Sequence, residues 1–343
     1  MKYSFIERPP NTHQQPLSRE QICTLCECAF GREKDPEEVQ ELDGGEYNNT
    51  YLIIFPDRQQ VILRVSPVFT GSLRGRSAGL MRNEHYFQPF LAPIAPFMPK
   101  TLLWDFTHQL IERDYMFQTF MEGERWLDRA GELTQQENRT LWQQLGRLAK
   151  SIHSIQGETF GSPALGTVFS HWSILVLNRL TRIIEQLKAA QLDATDVQTL
   201  QEMAHTNSTL LDEIQQPRLL HGDLWTFNLL IKRDQEKACI SAVLDSDSCS
   251  WGDPMADWTM FLLHIKRTEG TMRNDLEGVQ AFWQAYGQPE HSRGALFREQ
   301  IYRAIHFAEG RVARHHQGRE DIVLRTYEKL QAILVALQGI LKD

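Results

Sequence analysis

Residues 217–251 set a loop-and-strand insert into a half of the chain that otherwise reads as helical. The insert runs His221-Gly222-Asp223-Leu224-Trp225-Thr226-Phe227-Asn228, then the apolar run Leu229-Leu230-Ile231, then Val243-Leu244-Asp245. An Asp and an Asn therefore lie five positions apart on one loop, and a second Asp closes a short strand nearby. Short β runs at this point mean that the helical half also carries a small sheet.

The preceding part of the chain has a different character. Thr50-Tyr51-Leu52-Ile53-Ile54-Phe55 and Val61-Ile62-Leu63-Arg64-Val65 flank a turn at Pro56-Asp57-Arg58 and predict a hairpin. Leu102–Trp104, Gln109–Glu112 and Tyr115–Met121 supply further strands. Residues 18–31 predict a short helix with Ser18 as its cap and Gly31 after its end. Residues 34–40 are polar and read as a surface connection, 83–90 as a helix ended by the Pro-studded stretch 93–99. After Gly123 helices dominate. Thr134-Gln135-Gln136-Glu137 is a capping box that opens a helix with Leu141, Leu145, Leu148, Ala149 and Ile152 on one face. Residues 171–188, 195–214 and 254–342 continue the pattern.

At 343 residues the chain exceeds one typical core, so two lobes are expected. The division is a helical N-terminal extension over 1–40, a β-rich lobe over 41–120 and an α-rich lobe over 121–343. A net charge of −8 argues against a nucleic-acid surface, which needs a basic patch. Five cysteines without framework spacing point to a reducing compartment. No stretch reaches the roughly 20 apolar residues of a membrane span, and residues 1–10 lack the apolar core of a signal peptide. A cytoplasmic protein with neither nucleic-acid nor membrane partners is the expectation.

The residues of the insert suit phosphoryl transfer. That reaction needs one carboxylate to orient the attacking hydroxyl, and an amide and a second carboxylate to hold metal ions against the transferring phosphate. The Asp-to-Asn spacing equals that of the kinase catalytic loop, with Gly222 where that motif has Arg.

With these pieces in order, the chain resembles the aminoglycoside phosphotransferase family, a branch of the protein-kinase-like fold that phosphorylates small molecules. The resemblance spans about Leu42 to Trp258. It is strongest at Leu219-Leu220-His221-Gly222-Asp223, Asn228-Leu229-Leu230, Val243-Leu244-Asp245, Gly252-Asp253-Pro254 and Asp257. It implies an α+β, two-lobed fold with a small β-rich N-terminal lobe that binds nucleotide. The larger α-helical C-terminal lobe would carry catalysis and bind the acceptor. It implies ATP or GTP with Mg²⁺, and a small-molecule hydroxyl as acceptor. Asp223 matches the catalytic Asp; Asn228 and Asp245 match the metal ligands. Arg64 stands where a basic residue contacts the α- and β-phosphates, and Glu84 where a helix glutamate pairs with it. Gly44-Gly45 with Asn48-Asn49-Thr50 matches the loop over the phosphates, and the backbone from Thr119 to Met121 the adenine strip. Two departures stand out: Arg at 64 where many kinases have Lys, and Ser246 where relatives usually carry an aromatic.

Plainer readings compete at each position. Asp223 and Asn228 are also turn residues, though Asp245 at a strand end weighs against that reading for all three. Arg64 reads equally well as an exposed strand residue, Gly44-Gly45 as a hairpin turn, and Glu84 as a surface charge. Asp247 is a third acid near the metals or a solvated turn residue. His221 is expected to shape the loop rather than move protons. Asp253 fits a helix N-cap before Pro254, and Asp257 either complements the helix dipole or braces the loop. Cys23, Cys26 and Cys28 lack the further ligands that zinc requires and read as incidental helix residues. The alternatives to a small-molecule kinase are a non-catalytic nucleotide-binding relative acting as sensor or scaffold, a metal-dependent phosphoesterase, and a protein kinase. The last would carry an Ala-Pro-Glu stretch after Asp245, and none is present.

Overall fold

The computed structural model describes residues 1–8, 14–43, 48–68, 79–235, 237–265 and 276–342, with the backbone alone over 260–265. The chain divides into two compact units. One comprises Met1–Gly123 with Ser241–Ser248, the other Glu124–Ile240 with Cys249–Asp343.

The first unit contains β1 (Lys2–Ser4), α1 (Arg19–Phe30), β2 (Glu38–Leu42), β3 (Asn49–Ile54), β4 (Gln60–Val65), α2 (Leu80–Phe87), β5 (Thr101–Asp105) and β6 (Tyr115–Thr119). The strands form one sheet in the order β1-β2-β3-β4-β6-β5, antiparallel except for the β1–β2 pair. The expected hairpin is β3–β4. Strict alternation along β3 buries Asn49, Tyr51 and Ile53 on one face. Against that face α1 packs Ile22, Leu25 and Cys26. Ser18 caps α1 in a full capping box with Gln21, and Gly31 ends it with φ of 89°.

In this unit β1 lies on the sheet edge and α1 packs in the core. The surface connection expected over 34–40 enters β2. Its period was hidden because Glu41 points inward, where it accepts hydrogen bonds from the Ile6 N–H (2.9 Å), Arg8 (2.6 Å) and Asn49 (2.8 Å). A buried carboxylate so satisfied is compatible with a strand, but its partners are distant in sequence. The strand expected at Gln109–Glu112 is not formed. That segment bends and delivers Arg113 inward to the carbonyls of Ser66 and Gln15 and to Asn49. The helix expected over 83–90 begins earlier, at Leu80. It then tightens into a 3-10 segment, Gln88–Phe97, where Pro93 and Pro96 forbid α-helical hydrogen bonding.

The second unit contains β7 (Glu124–Arg125), α3 (Trp126–Arg129), α4 (Gln135–His153), β8 (Phe160–Ser162), β9 (Thr167–Phe169), α5 (Trp172–Ala189), α6 (Thr195–Thr206), α7 (Ser208–Leu211), β10 (Arg218–Leu220), β11 (Leu229–Asp234), β12 (Lys237–Val243, of which Ser241–Val243 belong to the first unit), β13 (Ser250–Gly252), α8 (Pro254–Ile265), α9 (Leu276–Tyr286), α10 (Arg293–His316) and α11 (Glu320–Lys342). Thr134 and Glu137 form the expected capping box on α4. The helix expected over 195–214 divides at Asn207. Gly146 lets α4 lie against α9, since a Cβ there would stand 2.6 Å from the Phe282 carbonyl oxygen. Two small sheets interrupt the helices, in the orders β10-β13-β8-β9 and β12-β11-β7. Among the described residues no helix is long and apolar enough to cross a membrane.

Candidate active site

The site residues fall into two groups, one in each unit. In the second unit the loop 221–228 runs from β10 to β11. Gly222 has φ of 81°, a conformation that glycine adopts without steric cost. The Asp257 carboxylate receives both main-chain N–H groups of the turn, His221 at 2.7 Å and Gly222 at 2.8 Å. The imidazole of His153 lies 3.1 Å from the same carboxylate through Nε2, and its Nδ1 is 2.8 Å from the Tyr286 hydroxyl. Burial alone would raise the Asp257 carboxyl, but the hydrogen bonds and charge of His153 and His221 hold it below the usual carboxylate range. Of the two roles open to Asp257, bracing the loop is the one the geometry realises.

Asp257 is itself set by the start of α8. Asp253 caps that helix, accepting the Met255 N–H at 3.0 Å, with Pro254 at the first helical position. The Tyr302 hydroxyl donates to the other Asp253 oxygen at 2.7 Å, and the Arg298 guanidinium lies 3.2 Å away. Burial nevertheless lifts the Asp253 carboxyl above its ordinary value.

On the braced loop, Asn228 is buried and donates from Nδ2 to the Asp223 carbonyl (2.9 Å) and to Asp223 Oδ2 (2.7 Å). The amide donors thus fix the Asp223 carboxylate, and the Asn228 side-chain oxygen remains an acceptor suited to a hard cation. Trp225 and Phe227 stack with centroids 5.2 Å apart, and the Arg125 guanidinium lies 4.8 Å from the Phe227 centroid. His221 is fully buried, as its expected shaping role requires.

In the first unit Arg64 is buried on β4, not exposed on an alternating strand. Its Nη1 meets Glu84 at 2.5 Å and its Nη2 meets Asp245 at 2.7 Å. The other Glu84 oxygen accepts from Gln118 at 2.8 Å. Burial opposes the charge on Arg64, but Glu84, Asp245 and Asp247 together hold it firmly protonated. Asp245 follows β12 in the left-handed region, with φ of 64°. Non-glycine residues at such angles are uncommon and concentrate at functional sites. The 3-10 turn Ser246–Ser248 comes next, tied to α2 by Asn83, whose amide donates to the Asp247 carbonyl at 2.8 Å. Asp247 is buried, which corrects its reading as a solvated turn residue. Burial and the nearby Asp245 charge raise its carboxyl well above the ordinary range.

The remaining candidates divide. Asn49, expected among residues over the phosphates, has no exposed side chain, because its amide is spent on Glu41 (2.8 Å) and Arg113 (2.6 Å). Its side chain is part of the interior. Gly44 and Gly45 lie outside the described residues. Thr119 ends β6 with its N–H on the Lys100 carbonyl, and Met121 follows, partly buried. Cys23, Cys26 and Cys28 are all on α1, with the Cys26 thiol pushed up to about 12 by burial and by Cys23 and Asp35. His153, Tyr286, Asn83 and Gln118 were not singled out from sequence. They act through contacts far along the chain, and no local spacing marks them.

Among the described residues no group of three or more His, Cys, Asp or Glu side chains forms a metal cage. The side-chain oxygens of Asn228 and Asp245 are hard donors of the type that Mg²⁺ takes.

Comparisons with known proteins bear on the family and the fold. A family profile described as the phosphotransferase enzyme family matches residues 38–297. No curated protein sequence matches. Among solved structures, the gentamicin complex of APH(2'')-IIa is similar, with TM-score 0.64 and 16% identity, covering 92% of this chain and 97% of that one. A thermostable mutant of aminoglycoside phosphotransferase APH(4)-Ia, in a ternary complex with AMP-PNP and hygromycin B, gives TM-score 0.63, 16% identity and coverage of 92% and 98%. An aminoglycoside phosphotransferase homologue from Ralstonia eutropha JMP134 gives TM-score 0.64, 14% identity and coverage of 94% and 98%. With the profile spanning most of its length and the kinase-like α+β fold of these neighbours, the chain belongs to the phosphotransferase enzyme family.

Proposed function

We propose that this protein transfers the γ-phosphate of ATP or GTP to a hydroxyl of a small molecule such as an amino sugar or ketosamine. The observation that carries the reading is the pairing of Asn228 with Asp223 on a loop braced by Asp257. A carboxylate held in one orientation by a buried amide is suited to receiving a hydroxyl proton. The acceptor oxygen bonds to the γ-phosphorus as the bridging P–O bond breaks. The hydroxyl proton passes to Asp223, and the nucleoside diphosphate leaves. Arg64, steadied by Glu84, grips the nucleotide phosphates. The strip from Thr119 to Met121 meets the base. Asn228 and Asp245 would hold Mg²⁺, and the cation would neutralise charge on the transferring group. The β-rich unit is assigned the nucleotide and the α-rich unit the acceptor. Neighbours of known structure hold nucleotides and aminoglycosides, including GDP with kanamycin, which supports this class of ligand.

The test is a nucleotide-consumption screen across amino sugars, ketosamines, choline, homoserine, thiosugars and macrolides, with Asp223→Ala as control. Acceptor-dependent turnover lost in the variant supports the reading. Nucleotide binding without turnover for any acceptor would instead favour a sensor or scaffold.

A further inference from the structure

The hydroxyl of Tyr302 joins three helices of the second unit. Tyr302 itself lies on α10. Its oxygen accepts the indole N–H of Trp172, the first residue of α5, at 2.6 Å. Its proton goes to Asp253 Oδ2 at 2.7 Å, just before α8 starts at Pro254. The direction of this chain is fixed, because an indole N–H only donates and leaves the hydroxyl proton to Asp253. Burial and the Asp253 charge lift the Tyr302 hydroxyl well above its ordinary value, so the proton stays on it. Trp172, Tyr302 and Asp253 are all buried. Trp172 also packs on the backbone that precedes Asp253, since a Cβ at Gly252 would stand 2.7 Å from the indole ring. One turn along α8 from Asp253, the Asp257 carboxylate receives the N–H groups of His221 and Gly222. The orientation of the Asp253 cap therefore bears on the carboxylate that shapes the loop of Asp223.

We infer that Tyr302 is a positioning residue for the Asp223 loop, acting through Asp253 and the first turn of α8 on Asp257. Without its hydroxyl, Asp253 Oδ2 keeps only the Arg298 guanidinium at 3.2 Å, and the buried Trp172 N–H loses its acceptor. The start of α8 then gains freedom, and the two N–H groups held by Asp257 open more often. The effect on turnover rests on the proposed role of Asp223, whereas the effect on the loop does not.

The experiment is Tyr302→Phe in the full chain, which removes one oxygen and keeps the ring. Amide hydrogen exchange at His221 and Gly222, followed by NMR, quickens at least about tenfold, as expected where a buried acceptor loses a donor. The amides of the buried residues Leu330, Ile333 and Leu337 on α11 keep their wild-type rates. In ATP hydrolysis without acceptor, kcat falls by a similar factor and the ATP KM holds within about twofold. In an Asp257→Asn background, Tyr302→Phe changes exchange at the two loop amides by less than about twofold, because its route is already cut. Unchanged exchange at His221 and Gly222 overturns the inference. So does an equal acceleration on α11, which marks a general loss of stability, and so does a full effect in the Asp257→Asn background. Faster loop exchange with unchanged kcat leaves the positioning intact and removes Asp223 from the chemistry instead.

Discussion

The carboxylate of Asp257 accepts the main-chain N–H of His221 at 2.7 Å, across 36 residues of sequence. One side chain at the start of α8 thereby sets the backbone from which Asp223 projects. The second oxygen takes the Gly222 N–H, and His153 completes the arrangement. The loop holds its shape through a buried hub rather than through its own turn propensity.

Asp257→Asn should therefore impair both folding and chemistry. The amide presents an N–H toward groups that are themselves donors. One of the two main-chain N–H groups is then left without an acceptor, at a cost of about 1–3 kcal/mol. Urea unfolding measures it, and turnover at saturating acceptor should fall as well. A variant with wild-type stability and turnover would remove Asp257 from the account.

Acid sensitivity follows from the same hub. The folded-state value of Asp257 lies below that of the unfolded chain, so the native state binds fewer protons there. Its contribution is complete above about pH 4, the ordinary Asp value. It is lost as pH falls through the lower folded-state value. The stability gap between wild type and Asp257→Asn should narrow below about pH 4. Unfolding midpoints from pH 3 to 7 check this, and a constant gap would contradict it.

Asp223→Ala should abolish proton acceptance while leaving the fold intact, since the loop is braced from Asp257 and not from Asp223. General-base loss predicts a fall in kcat of about 10²–10⁴-fold with little change in the nucleotide KM. Steady-state kinetics beside thermal melting separate this outcome from misfolding.

Glu84→Ala should be among the more destabilising substitutions in the first unit. It removes the partner 2.5 Å from Arg64 and leaves a buried guanidinium short of one counter-charge. Breaking one side of a buried pair costs about 3–5 kcal/mol. Glu84→Gln keeps a hydrogen-bond acceptor and should lose less stability. Chemical unfolding of the two variants orders them.

Gly146→Ala provides a contrast away from the chemistry. The added methyl would stand 2.6 Å from the Phe282 carbonyl oxygen, so α4 and α9 must separate. Overpacking of this kind costs about 1–3 kcal/mol. Turnover per folded molecule, measured well below the melting temperature, should stay near wild type.

Much of the architecture was legible from local pattern. The β3–β4 hairpin, the Ser18 cap, the Thr134 capping box and the Asp253-Pro254 helix start each depend on residues within a few positions of one another. Local chemistry of this kind survives whatever the rest of the chain does. The strand around Glu41 was missed for the opposite reason. An acid breaks the apolar alternation, and what makes it tolerable is a set of donors from Ile6, Arg8 and Asn49. The expected strand at Gln109–Glu112 failed because Arg113 is drawn inward by partners at 15, 49 and 66.

The same division runs through the candidate site. The spacing of Asp223, Asn228 and Asp245 is a property of the sequence, and their residue types are those that phosphoryl transfer requires. The tertiary structure decided which neighbours share their environment. It buried Arg64 between Glu84 and Asp245, turned Asn49 inward to Glu41 and Arg113 and made Asp257 a brace. Ion pairing and desolvation depend on distances through space, and residues 181 positions apart, such as Arg64 and Asp245, meet only once the chain has folded.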